Sequence, residues 1–124
     1  MDTKINEIEV NGIKYVPKDS VLELAAVNEE GFLYVVIRAD RAGVFAGFLK
    51  EKRDTEVTLV NVRRLWYWDG AASCSQIAEL GVSKPQNCKF TAPNREIIIK
   101  NWIEILLATK VAQKSIQGVA EWTA

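Results

Sequence analysis

Apolar residues fall in short runs, broken every few positions by Gly, Pro, Asn or Asp, the pattern of strands joined by tight turns. Ile5–Val10 and Ile13–Val16 flank Asn11-Gly12, a pair suited to positive φ at both turn centres, and predict an N-terminal hairpin ended by Pro17, Asp19 and Ser20. Ser20–Glu30 sets Val21, Leu22, Leu24 and Val27 among carboxylates and reads equally as a helical turn or an irregular edge. After a turn at Asn28–Gly31, the unbroken apolar run in Phe32–Arg38 predicts a strand buried on both faces. Arg38–Gly43 turns the chain into a second strand, Val44–Lys50, where Gly43 and Gly47 permit a bulge or a close backbone approach.

Lys50–Asp54 reads as a charged hairpin loop, and Thr55–Trp68 as a long strand closed by Asp69-Gly70. Ser73 with Gln76 three residues later is a capping box, and Ile77, Leu80 and Gly81 give that short helix its apolar side and its stop. Beyond Lys84-Pro85, Lys89–Ala92 predicts a short strand and Pro93-Asn94 a turn. Glu96–Ala108 is rich in β-branched residues and predicts a strand, bent at Asn101. Thr109 caps a final helix through Ile116, ended by Gly118, and Val119–Ala124 is a tail with Trp122 as its anchor. The sum is an α+β, mainly β chain: six to eight short strands and two short helices, in a small bent antiparallel sheet or partly closed barrel, because the connections are too short for helical crossovers. Such a sheet has edges, and the apolar 96–108 segment predicts a homo-oligomer that protects one of them.

A length of 124 residues suits one domain spanning 1–124, and 48% hydrophobic residues supply a core without help from metal or disulfide. Sixteen basic and sixteen acidic side chains leave a formal net charge of +0, which argues against binding long nucleic acid through its phosphates. Arg38, Arg41, Lys50, Lys52, Arg53, Arg63 and Arg64 still enrich the middle of the chain in positive charge, which reads as a patch for a small anion or as a solvated face. Cys74 and Cys88, with no histidine, fall short of a zinc site and read as reduced and buried. No signal pattern and no run near 18 apolar residues occurs, which points to the cytosol and away from the membrane. Without histidine, nucleophile–imidazole pairs and imidazole-bound metals are out of reach, and no Asp-x-Asp cluster replaces them. The expectation is a non-enzymatic protein without metal or cofactor. A metal-dependent hydrolase using Asp40, Asp54 or Asp69 is the enzymatic alternative.

The densest chemistry lies in Arg63–Lys89. Strand alternation puts Arg64, Trp66 and Trp68 on one face and Arg63, Leu65 and Tyr67 on the other. A cation beside two indoles suits a flat anionic ligand, although indoles on a strand also serve as core or subunit interface. Ser73 opens a helix near the Trp68–Gly70 corner, where free N–H groups suit an anion unless the serine itself satisfies them. Arg38 and Arg41 flank a small-residue turn that resembles an anion-binding loop without phosphate-loop spacing, and they read equally as exposed charge neighbours. The candidate ligand set is Arg38 and Arg41 on phosphate, Trp66 or Trp68 under a base, and Arg64, Ser73, Lys84, Asn87 and Lys89 around the rim.

Gly12–Val16, Arg41–Gly47, the block Arg63–Ser73, the exit Gly81–Phe90 and the closing Ala112–Ile116 together resemble a family of small phage and prophage proteins catalogued as a domain of unknown function. Cys74 stands where that family often looks aliphatic. The resemblance implies a viral accessory protein acting in the cytoplasm of a bacterial host cell. In that context the chain resembles the phage proteins that oligomerise and sequester cyclic nucleotide or cyclic ADP-ribose immune messengers. A protein-binding inhibitor or virion accessory protein, acting through an aromatic interface, is the alternative.

Overall fold

The computed structural model describes residues 8–10, 13–15 and 26–123. Two short strands, β1 (Ile8–Val10) and β2 (Ile13–Tyr15), pair antiparallel with Val10 opposite Ile13, as expected of the N-terminal hairpin. Residues 5–7 and 16 of the expected hairpin strands, the turn residues Asn11 and Gly12, the stop at 17–20, and residues 20–25 of the ambiguous segment lie outside the described residues. From Ala26 the chain is irregular, and Val27 bridges Leu33. At the predicted turn, the Asn28 side chain accepts from Glu30 N at 3.1 Å and Phe32 N at 2.9 Å, and Gly31 takes φ 87°. This is a side-chain-closed turn of the kind Asn favours.

The main sheet has six antiparallel strands: β3 (Leu33–Ala39), β4 (Gly43–Arg53), β5 (Glu56–Tyr67), β6 (Lys89–Phe90), β7 (Asn94–Lys100) and β8 (Trp102–Leu107), in the order β6-β5-β4-β3-β8 with β7 also on β5. Two boundaries differ from expectation, and the expected bend at Asn101 forms. Lys50–Asp54 is no loop: β4 runs on through Arg53, which pairs with Glu56, and only Asp54 and Thr55 turn the chain, with Asp54 at φ 58°. Charged side chains suit this ribbon because Lys50–Thr55 are all exposed. The 89–92 strand is two residues long. The 96–108 run is two strands hinged at Asn101, which holds φ 58° and ties both ends of the sheet: its N–H donates to Thr55 O at 2.7 Å and its carbonyl accepts from Asp40 N at 2.9 Å.

Among the described residues two helices cover one face: α1 (Cys74–Leu80) and α2 (Lys110–Gly118). Ser73 Oγ accepts from Gln76 N at 3.2 Å and Thr109 Oγ1 from Ala112 N at 3.0 Å, so both predicted caps form. Gln76 reaches back one residue further than a capping box requires, accepting from Ala72 N. Ile77, Ala112 and Ile116 pack with Tyr34, Val36, Ala46, Phe48, Leu65 and Phe90. On the other face Val35, Ile37, Phe45, Val57, Leu59 and Ile99 form a second core with Trp102 and Ile105. Ile99 comes from one edge of the sheet and Ile105 from the other, so the sheet curls onto itself. No ladder joins β7 to β8, and the curl stays open.

The curl depends on a bulge. Ala46 faces Arg63 and Phe48 faces Val60, so Gly47 alone stands opposite Asn61 and Val62. A Cβ on Gly47 would lie 2.8 Å from Val62 Cβ, which is why glycine occupies this position. Asn61 takes φ 50°, a conformation Asn tolerates better than most residues.

Candidate functional site

The nine residues expected around a ligand separate in space. Residues directly opposite in a ladder share a face; Arg38 pairs with Val44 on the helix-covered side, whereas Arg64 pairs with Phe45 on the other. Arg38 donates to Glu104 Oε1 at 3.0 Å in an exposed ion pair. Burial pushes the Cys74 thiol pKa up, and the pair is close enough for Arg38 to oppose the shift and Glu104 to add to it. Arg41 is exposed in the β3–β4 turn at φ 66°. Arg64 donates to Ala42 O at 2.7 Å, and its guanidinium carbon sits 4.5 Å from the Phe45 ring centroid. Ser73 is used as a helix cap.

The expected Trp66/Trp68 face does not form. Leu65 faces Phe90 and Tyr67 faces Lys89, so two adjacent residues of β6 meet three of β5 and Trp66 is the extra one. Alternation breaks there: Leu65 and Trp68 both pack on the helix-side core, while Trp66 stands out at 65% exposure. Trp66 lies parallel to Trp122 at 6.4 Å between ring centroids, and Lys89 Nζ is 5.6 Å from the Trp122 ring. Trp122 is brought there by its N–H donating to Phe90 O at 2.9 Å, next to the parallel bridge of Glu121 with Phe90. The tail residue named as an anchor therefore completes an aromatic pair with a cation on it.

Lys84 and Asn87 belong to a neighbouring corner. Asn87 Nδ2 donates to Asp69 Oδ2 at 2.9 Å, and its N–H to Lys84 O at 3.0 Å. A Cβ on Gly70 would meet Lys84 N at 2.6 Å, so the Asp69-Gly70 break lets the two loops touch. Cys88 is buried there as a free thiol, its sulfur accepting from Asp69 N at 3.4 Å.

The sequence places Arg63 on the opposite face and in the basic middle of the chain, read as an anion patch or a solvated face, yet it is buried and the most heavily bonded side chain of the block. At 3% exposure its Nε donates to Thr91 O, Nη1 to Ile116 O and Val119 O at 2.7 and 2.8 Å, and Nη2 to Phe90 O and Ala120 O. A cation thus closes the carboxyl end of α2, where free carbonyls and the helix dipole favour it. Burial lowers its pKa, opposed by Tyr34 and Glu121. The Tyr34 hydroxyl is buried without a hydrogen-bond partner, and burial raises its pKa against the opposing Arg63 charge. Only tertiary structure could reveal this pair. Among the described residues no cluster of three or more His, Cys, Asp or Glu side chains could hold a metal ion. Nor is any described helix long and apolar enough to cross a membrane.

A family model described as a domain of unknown function, DUF6948, matches residues 33–116. The chain belongs to the DUF6948 family. The matched span runs from β3 into α2 and takes in Trp66, Arg63 and Tyr34, while Trp122 lies beyond it. No curated protein and no solved structure matches this DUF6948 chain.

Proposed function

We propose that this DUF6948 protein is a non-enzymatic binding protein of phage or prophage origin that sequesters a small anionic nucleotide-like messenger, of cyclic oligonucleotide or cyclic ADP-ribose type, in the cytoplasm of a bacterial host. The observation that supports the reading is the Trp66–Trp122 pair: two parallel indoles, 65% and 39% exposed, with the Lys89 ammonium over one ring. An indole left largely in water forgoes a large burial gain, and a stacked base restores it, at about 1–3 kcal/mol per base. Lys89 supplies the charge for phosphate, and Arg41 and Lys84 remain exposed for a longer ligand. Arg38, on the helix-covered side, and Trp68, packed on the core, are left out of the proposed contact set. Oligomerisation belongs to the same proposal: among the described residues β8 pairs only with β3, and it carries Ile103 and Leu107 at 53% and 60% exposure, an edge that a second copy would cover.

A protein-binding inhibitor is the second reading, favoured by Tyr67 standing beside Trp66 at 52% exposure on an open surface, the setting of an interface hot spot. Native mass spectrometry with cyclic dinucleotides, cyclic trinucleotides and cyclic ADP-ribose isomers separates the two. A stoichiometric gain of intact ligand, lost in Trp66→Ala, supports sequestration. An oligomer that gains no mass from the panel shifts the reading to protein binding, and ligand returned as fragments overturns the non-enzymatic assignment.

A further inference from the structure

The protein also has a cleft whose lining includes neither Trp66 nor Trp122, independent of the function proposed above. Its outer chamber, about 680 Å³, lies between the Asn28–Gly31 turn, the bulge of β5 and α2. Val27, Phe48 and Val60 give it an apolar wall, and Asn28, Arg95 and Gln113 a polar one. A second chamber of about 190 Å³ is lined by Tyr34, Asn61, Arg63, Pro93 and Gln117. The two share Asn61 and Pro93, so they adjoin, and the combined space suits a small organic molecule.

We infer that this cleft binds a small organic monocarboxylate with an apolar body, its carboxylate in the inner chamber. Two observations specify the charged end. The Tyr34 side chain is 1% exposed, yet its hydroxyl has no hydrogen-bond partner, a rare state for a buried donor. It calls for an acceptor. Arg63 gives all its N–H groups to main-chain carbonyls, so its charge remains as positive potential while its donors are occupied. An anionic acceptor therefore fits, held by the amides of Asn61 or Gln117 and bonded by the Tyr34 hydroxyl once the ligand parts the side chains that now seal it. The apolar wall of Val27, Phe48 and Val60 receives the body. Glu29 and Glu30 in the outer wall disfavour a multiply charged phosphate ester, which distinguishes this ligand from a nucleotide. Asn61 ties the site to the fold, since the bulge that Gly47 permits puts its side chain in both walls.

The test is a ¹⁹F NMR titration of the full chain with 4-fluorobenzoate, with 4-fluorobenzyl alcohol as the neutral control. Saturable binding of the carboxylate, weaker by about tenfold or more for the alcohol and for Tyr34→Phe, is the expected result. Gln117→Glu, at an exposed position that leaves the core intact, is expected to abolish binding by placing a like charge in the chamber. Trp66→Ala is expected to leave it unchanged. Absence of saturable binding, equal affinity in Tyr34→Phe and Gln117→Glu, or loss of binding in Trp66→Ala would each overturn the inference. The last variant also keeps this site's failure distinct from failure of the aromatic surface.

Discussion

Arg38 and Arg64 project from opposite faces of one sheet, because Arg38 stands opposite Val44 and Arg64 opposite Phe45, consecutive residues of β4. A single small ligand therefore cannot bridge them. Arg38→Ala is expected to leave the proposed ligand binding at the Trp66 surface unchanged and to cost at most about 1 kcal/mol, the usual worth of an exposed ion pair such as Arg38–Glu104. Isothermal titration beside urea melts checks both halves, and a large affinity loss would put the ligand on the helix side instead.

Trp66→Ala should barely change stability, by less than about 1 kcal/mol, since an exposed indole has little burial to lose. A cooperative melt close to wild type, together with a changed tryptophan fluorescence spectrum as the Trp122 neighbour is removed, is the expected outcome. Unfolding would show that the pair is structural.

Arg63 behaves in the opposite way. Arg63→Leu strips donors from carbonyls of β6, α2 and the tail at once, and each buried acceptor left unpaired costs about 1–3 kcal/mol. The loss is expected to exceed about 3 kcal/mol, and Arg63→Lys to recover only part of it because an ammonium lacks the planar fork. Hydrogen exchange in α2 should accelerate before that in β3.

Tyr34→Phe deletes a hydroxyl that has no partner, so in ligand-free protein it is expected to be neutral or stabilising, by up to about 1 kcal/mol. The phenol also links stability to alkaline pH. Its folded pKa is raised above its ordinary value of 10.0, chiefly by burial. Above that value the unfolded chain releases a proton that the folded chain retains, so this contribution is complete below about pH 10 and is lost as pH rises further. Urea midpoints of wild type should fall more steeply than those of Tyr34→Phe over that alkaline range; parallel curves would show that Tyr34 ionises freely in the folded state.

At Gly47, substitution by Ala places a methyl 2.8 Å from Val62 Cβ and 2.9 Å from its Cα. The bulge at Asn61 must then shift, at a cost of about 1–3 kcal/mol. A lowered urea midpoint together with loss of 4-fluorobenzoate binding would tie the curl of the sheet to the Tyr34 cleft.

What the sequence determined by itself was what local chemistry settles. Asn28 and Gly31 close a turn, Ser73 and Thr109 cap helices, Asn101 bends a strand, and the apolar runs of Phe32–Arg38 and Glu96–Ala108 build the sheet, because each signal acts within a few residues. The candidate site was legible only in part: Trp66 and Lys89 come together, Trp122 joins them from the tail, and Trp68 and Arg38 face elsewhere. Counting residues in twos fails wherever a bulge inserts one, and the bulges at Asn61 and Trp66 exist only against their partner strands. Arg63 shows the same limit, since its carbonyl partners all lie 27 to 57 positions along the chain. Its identity as a cation was written in the sequence; its burial at the end of α2, beside an unpaired Tyr34 hydroxyl, was decided by packing, because only the folded chain gathers enough acceptors to bury a guanidinium.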